Sequence, residues 1–457
     1  MPSEALAAFL HRQSPAVLAD VLIELANDHP EVRKRLERLQ LADSPNKLAA
    51  AFRKTLAGWR RTQKYQDYKS VRSFAAKLEL WLDQVARELA PKDPASALDL
   101  FEAFIETDAH FFENADDSGG DIGDAVRGAC RHWLQTAAQC EAPEATMRAR
   151  LLKLVNADGY GAREGLLREA NLLLSEQGMR ELVAELEAEM ALLVAKHKGA
   201  GQVPYDVIKV SASLSLIGQA LGDPDVKARA ILSYRADPNP MQRESMAQAY
   251  LEANRPEDAM RWLQGDWGHL DDRRQRLLAQ AHGQRGNAEL SHHLRQQLFE
   301  AAPSLDALRL WLDDLPPHQQ SSALQRAGEI AMALPNPGLS AQLLVELHRE
   351  ADAEATLVDK ATAINGADYF ALPSLAKTLA ERGWFKGATA IYRALLLNIL
   401  ERAYSPAYRH AARHLERLQL MSSADLAPLP SHDDFLAQLR SKHGRKTAFW
   451  SLVAGQS

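Results

Sequence analysis

Between Arg53 and Arg72 the chain crowds Arg53, Lys54, Arg60, Arg61, Lys64, Lys69 and Arg72 against a single acid, Asp67. Trp59, Tyr65 and Tyr68 are interleaved with them. Seven cations and one acid leave this stretch at a formal +6, in a chain whose total is −6. Cations at such density neutralise phosphates, and rings set between them stack on unpaired bases. The same residues also suit a solvated helix–turn–helix corner, its rings turned inward and its arginines paired with acids on neighbouring helices. A second basic cluster, Arg440, Lys442, His443, Arg445 and Lys446, contains no acid. Around it Phe435, Leu436, Leu439, Phe449, Trp450 and Leu452 are spaced to dock a terminal capping helix whose charges face water.

Four further groups have the residue types of a metal or catalytic site without its spacing. Asp116, Asp117, Asp121 and Asp124 surround Gly119-Gly120, but the order of carboxylates and glycines does not match a calcium-binding helix–loop–helix. Asp121 is better placed to cap the next helix. His410 and His414 stand four apart on one predicted helix, without the glutamate of a zinc protease and with Arg409 and Arg413 beside them. His292 and His293 are adjacent, so the two are expected to point apart. Cys130 and Cys140, the only cysteines, form neither a CxxC pair nor a zinc knuckle, and so few thiols suit a reducing compartment. No phosphate-binding glycine loop, nucleophile elbow or dinucleotide fingerprint occurs. The expectation is a non-enzymatic protein with no cofactor and no metal.

The elements that must position these residues are helices. Apolar residues recur at three- and four-residue spacing, and Pro, Gly or Asn/Asp clusters interrupt them, while runs of period two are nearly absent. Two short helices are predicted before residue 43, broken at Pro15 and His29-Pro30, with Ser14 and Asp28 as caps. Ser44–Thr62, Tyr68–Leu89, Ala95–Thr107 and Ile122–Ala138 follow. Ala97, Leu98, Leu100, Phe101, Phe104 and Ile105 share one face of the third. Further on, paired segments recur: Met246–Leu251 with Glu257–Leu263, Leu277–Ala281 with Ala288–Leu290, and Leu375–Ala380 with Ala388–Tyr392. Each reads as a helix, a turn at Asn254, Gly286 or Gly383, and a second helix whose small residues face the first. A lone helical pair cannot bury both apolar faces, so neighbours must stack. The pattern resembles degenerate tetratricopeptide repeats. It predicts an all-α fold, an α-solenoid of helical hairpins in a right-handed superhelix with a concave groove. The expected organisation is an N-terminal helical segment 1–43, a repeat region 44–240 containing the basic stretch 53–72, and tetratricopeptide-like repeats with capping helices over 241–457. Trp262, Trp267, Trp311 and Trp384 fall in or near these repeats, and any exposed in the groove would anchor a peptide.

Three stretches resemble an uncharacterised bacterial family of helical-repeat proteins, a domain of unknown function also found downstream of SWIM-type zinc fingers. They are Tyr68–Leu89 with the basic segment before it, Phe101–Arg127 with its Asp116–Gly123 loop, and Tyr392–Arg413 together with Leu439–Lys446 and Phe449-Trp450. The resemblance implies a helical fold and a bacterial origin. It implies no activity, and the CxC and CxH zinc motif is missing.

Composition sets the outer bounds. At 457 residues, 46% hydrophobic and 25% charged, the chain is long for one core and folded in character. A pI near 6.2 argues against wholesale coating of nucleic acid and leaves room for a local patch. Met1–Leu10 lacks a basic start before an apolar run, and no uncharged span is long enough for a bilayer, so no membrane is expected and the location is cytoplasmic. The leading expectation is an interaction scaffold that binds a protein or peptide partner in its groove. The alternative is a nucleic-acid-binding accessory factor that uses residues 53–72 and 440–446. Sequence leaves the oligomeric state open.

Overall fold

The computed structural model describes residues 4–41, 43–199, 201–313 and 315–454. Among them the regular structure is helical throughout, with no strand and only an isolated parallel bridge between Gln66 and Ala115. None of the described helices is long and apolar enough to cross a membrane.

Helix starts follow local chemistry. Proline opens Pro15–Asp28, Pro45–Arg61, Pro94–Ile105, Pro240–Glu252 and Pro337–Glu346, where its missing N–H has no intrahelical partner to lose. Ser14, Asp93 and Asn336 accept first-turn N–H bonds as caps, and Asn239 forms a reciprocal capping box with Gln242. Asp28, the other expected cap, is instead the last residue of its helix. His29 follows at the bend and makes no side-chain capping bond to the next helix, because the chain turns one residue later than its acid suggests.

The chain divides into two compact units, Met1–Ala253 and Asn254–Ser457. In the first, Pro45–Arg61 packs on Pro94–Ile105, which packs with Val71–Gln84 around Asp121–Ala137. All six apolar residues expected on one face of Pro94–Ile105 are buried. Beyond this bundle, Glu176–Lys196, Tyr205–Leu221, Pro224–Tyr234 and Pro240–Glu252 each pack on the next in sequence.

In the second unit Asp271–Gln284 pairs with Ala288–Ala301, and Leu372–Glu381 with Phe385–Glu401. The turns are made by Gly286 and Gly383 at φ of 78° and 84°, a left-handed conformation that costs a side chain-bearing residue about 1 kcal/mol. Ala279 and Ala281 in one pair, and Ala376, Ala388 and Ala390 in the other, are buried at the crossings, as the small-residue pattern requires. Tyr408–Leu420 then packs on Phe385–Glu401, and Thr447–Ala454 closes on Tyr408–Leu420.

Candidate functional site

Helix Pro45–Arg61 buries Leu48, Ala49, Phe52 and Leu56 and contains no acid. Lys47, Lys54 and Arg61, seven apart, therefore recur on the side away from that core, while Arg53 and Arg60 line one flank. Arg60 and Arg61 occupy its last turn, where the helix dipole favours positive charge. Trp59 turns inward and meets Phe74 and Trp81 edge to face, with ring centroids 6.4 and 5.9 Å away. Tyr65 and Tyr68, on the loop that follows, do not: they are 58% and 68% exposed.

The corner is held from below. The Gln66 N–H donates to the Asn114 carbonyl and the Asp116 N–H to that of Gln66, both at 2.8 Å. The His110 Nε2 reaches the carbonyls of Trp59 and Thr62 at 3.1 and 3.0 Å. Arg60 is part of this fastening: its Nε donates to Thr107 Oγ1 at 2.7 Å and its Nη2 to the Ala103 carbonyl. Asp67, the lone acid, accepts from the Ser70 hydroxyl at 2.7 Å and the Ser70 N–H at 2.9 Å, and these bonds hold its carboxyl below the usual carboxylate range. It caps a turn and forms no salt bridge among the described residues, Lys69 acting on it only as a minor attraction.

Arg53, Lys54, Arg61, Lys64, Lys69 and Arg72 are all exposed, and among the described residues none forms a salt bridge. Elsewhere in this unit arginines find acids. Arg131 meets Glu169 at 2.5 Å, Arg148 meets Glu181 at 2.7 Å, Arg150 meets Glu102 at 2.6 Å and Arg180 meets Glu176 at 2.7 Å. The two arrangements open to this segment are thus divided among its residues: Trp59 packs inward and Arg60, though exposed, is tied to Thr107 and Ala103, while six cations and two tyrosines face outward.

The second basic cluster is mostly engaged by its own unit. The Arg440 guanidinium lies 5.4 Å from the Trp450 ring centre, Lys442 pairs with Glu401 at 2.6 Å, and the Lys446 ammonium sits 6.0 Å from the Tyr408 ring. Phe449 is fully buried, and the Trp450 indole N–H donates to the His443 carbonyl at 3.0 Å. Arg440 and Arg445 are both exposed and without a salt bridge among the described residues, and of the two it is Arg440 that lies against a ring. This is a docked terminal helix, with Arg440, Lys442 and Lys446 in contact with their own unit.

The remaining candidates have structural explanations. In the acidic loop the cap is Asp117, not Asp121. Its carboxylate reaches across the glycines to the N–H groups of Ile122 and Gly123, at 2.7 and 3.0 Å. Asp121 is the first residue of helix Asp121–Ala137, after Gly120 at φ 80°. Asp124 pairs with Arg127 at 2.5 Å. No group of three or more His, Cys, Asp or Glu able to hold a metal is found among the described residues. Burial, and then the neighbouring His410, pushes His414 down to about 4, so it is a neutral imidazole at pH 7. His292 and His293, expected to point apart, both line one polar cleft with Trp311. Burial pushes the Cys130 and Cys140 thiols up, away from the reactive thiolate. No tryptophan is exposed. Trp267 and Trp311 are buried, and Trp262 and Trp384 half-buried.

One polar feature left no mark in the sequence. Arg163 grips Asp108 with two bonds, of 2.8 and 2.7 Å, and donates a third to the Leu154 carbonyl at 2.9 Å, both side chains being almost fully buried. Fifty-five positions separate the pair, and neither residue has a distinctive neighbourhood in the sequence.

An all-helical protein with a cationic corner free of salt bridges, and with no assembled metal site, both among the described residues, is the class that fold and geometry define. It belongs to a family of unknown function, DUF6880, whose model matches residues 5–452. No curated protein and no solved structure matches it.

Proposed function

We propose that the chain is a non-enzymatic binding scaffold of the α-solenoid kind, built from tetratricopeptide-like hairpins. Its working surface is the corner Arg53–Arg72 and its partner there is a single-stranded nucleic acid, met in the cytoplasm. One observation carries this reading: six exposed cations without salt bridges flank two exposed tyrosines, in a unit whose other arginines are largely paired. Cations track a phosphate backbone, and tyrosine faces offer a stacking platform that any base can use. The inward tryptophans weigh against a peptide anchored by indole rings in a groove, and the engaged side chains at 440–446 weigh against a second nucleic-acid contact there.

Salt tests it. With about −0.7 in log–log slope per neutralised phosphate of a single strand, six contacts lower affinity roughly 300-fold between about 50 and 200 mM salt. Fluorescence anisotropy with a labelled oligothymidylate should show that steep fall. Combined reversal of Arg53, Lys54 and Arg61 to Glu should remove binding at low salt, and Tyr65→Ala with Tyr68→Ala should weaken single-strand binding by about 1–3 kcal/mol per lost stack while sparing duplex. A protein that runs through heparin unretained at low salt ends this reading.

A second reading, a protein partner, rests on a different surface. Helix Pro15–Asp28 buries Ala26 yet leaves Val17, Val21, Leu22, Ile23 and Leu25 between 41% and 59% exposed. Val17, Val21 and Leu25, four apart, form an exposed apolar stripe that suits another apolar helix. If it works so, Val21→Asp with Leu25→Asp should release, in stoichiometric pull-downs, a partner that the wild-type chain retains, while leaving oligonucleotide affinity unchanged.

A further inference from the structure

The unit Asn254–Ser457 contains a cleft of about 440 Å³. Its apolar wall comes from Pro373, at the start of helix Leu372–Glu381, and Ile399, near the end of helix Phe385–Glu401. Tyr369 and Tyr404 add aromatic faces, and Arg402, His410 and His414 supply the polar groups. Small-molecule sites have this character: roughly 300–1,000 Å³, apolar for the most part, with a few convergent polar groups.

The charge of the lining has one sign. No carboxylate lines the cleft. The acids closest in sequence are engaged elsewhere: Glu401 accepts from Lys442 at 2.6 Å, and Asp368 from the Ala371 N–H at 3.0 Å. Arg402 is held in place by a relay. Its Nη1 donates to Tyr369 Oη at 2.6 Å, and that hydroxyl donates to Asn398 Oδ1 at 2.5 Å. Arg402 forms no salt bridge among the described residues, so its charge and its other N–H groups are available. Deeper in the cleft His414 is uncharged and can accept or donate a hydrogen bond without demanding a counter-ion. At the rim Tyr404 is 57% exposed, and Phe370, next to Tyr369, is 97% exposed, an aromatic surface that the chain leaves uncovered. Ala403, at φ 53°, makes the turn between Arg402 and Tyr404 and so brings cation and ring to the same opening.

We propose that this cleft binds a small aromatic carboxylic acid, its carboxylate on Arg402 and His410 and its ring between Tyr404 and the Pro373–Ile399 wall. A planar guanidinium pre-positioned by a hydroxyl suits a planar carboxylate, and a cation next to apolar walls with no competing acid favours an anion with an apolar body over a polar one.

Titration calorimetry of the full chain with 2-naphthoate, and with 2-naphthamide as its neutral twin, tests the assignment. The acid is expected to bind about tenfold or more tighter than the amide, a difference of about 1.4 kcal/mol. Arg402→Gln, which keeps a donor but removes the charge, should erase that preference. Tyr404→Ala, a change at the exposed rim, should weaken acid and amide alike, with far-ultraviolet circular dichroism confirming that both variants remain folded. Equal affinity for acid and amide, no binding of either at millimolar concentration, or a preference that survives Arg402→Gln would each overturn the proposal. So would tight binding of a hexapeptide ending in phenylalanine when naphthoate fails to bind, since the occupant would then be a protein terminus.

Discussion

Arg60 and Arg61 are neighbours with opposite fates: one fastens Thr107 and Ala103, the other stands free. Their order in the sequence says nothing of this, because helical phase decides which of two adjacent side chains meets the next element. Arg163 and Asp108 make the same point inside the core. Removing one member of a buried ion pair strands the other charge, so Asp108→Ala should lower unfolding free energy by about 3–5 kcal/mol in urea titrations. If it costs less than about 1 kcal/mol, the pair is not the buried fastening described. His414 gives stability a pH dependence. Its folded-state pKa near 4 lies below the value of about 6.5 expected for an unfolded chain. Between those values the unfolded state binds more protons, so stability present at pH 7 is lost as pH falls from about 6.5 towards 4, by up to about 3 kcal/mol from this group. His132, His282, His432 and His443 are lowered too, burial being the first cause in each, and act in the same direction. The urea midpoint should therefore drop between pH 7 and pH 4.5, and His414→Gln should flatten the drop.

At the scale of elements much was legible. Proline starts, glycine turns and three-to-four spacing located Pro45–Arg61, Pro94–Ile105 and Asp121–Ala137 to within about three residues, since each signal acts through its own backbone. The pair around Gly383 was located too, except for the end of Phe385–Glu401, which runs well past Tyr392. Caps were less legible, as Asp28 and Asp121 show, because a cap is chosen by where the chain bends and not by which acid is nearest. Of the cleft around Arg402 only His410 and His414 were legible, and their spacing speaks of a metal pair and not of part of a cleft. Tyr369, Arg402 and His410 come from separate segments, and the turn that brings Tyr369 in depends on a close approach: a Cβ on Gly366 would collide with the Ala394 carbonyl and press on Asn398. Gly366→Ala should accordingly cost about 1–3 kcal/mol by overpacking. It should also displace Tyr369 from Asn398, so that affinity for 2-naphthoate falls together with stability. A variant as stable as the parent would show that the turn has room to spare.

Across the whole molecule the balance of −6 conceals where charge is free and where it is cancelled. Arginines matched with acids present little net field beyond the pair, so their loss should not matter to a polyanion. Arg131→Gln and Arg180→Gln, both at salt-bridged positions, should leave oligonucleotide affinity within about twofold, where a single Arg61→Gln lowers the salt slope by about 0.7. Equal effects at all three positions would mean that diffuse charge, and not the corner, does the binding. The corner has a further consequence when nothing is bound to it. Its six like charges repel one another, and Arg72 lies in the first turn of helix Val71–Gln84, whose amide ends are themselves partly positive. Dissolved anions relieve that repulsion, so added salt should raise the melting temperature of the unliganded protein, through the same screening that loosens its hold on a polyanion.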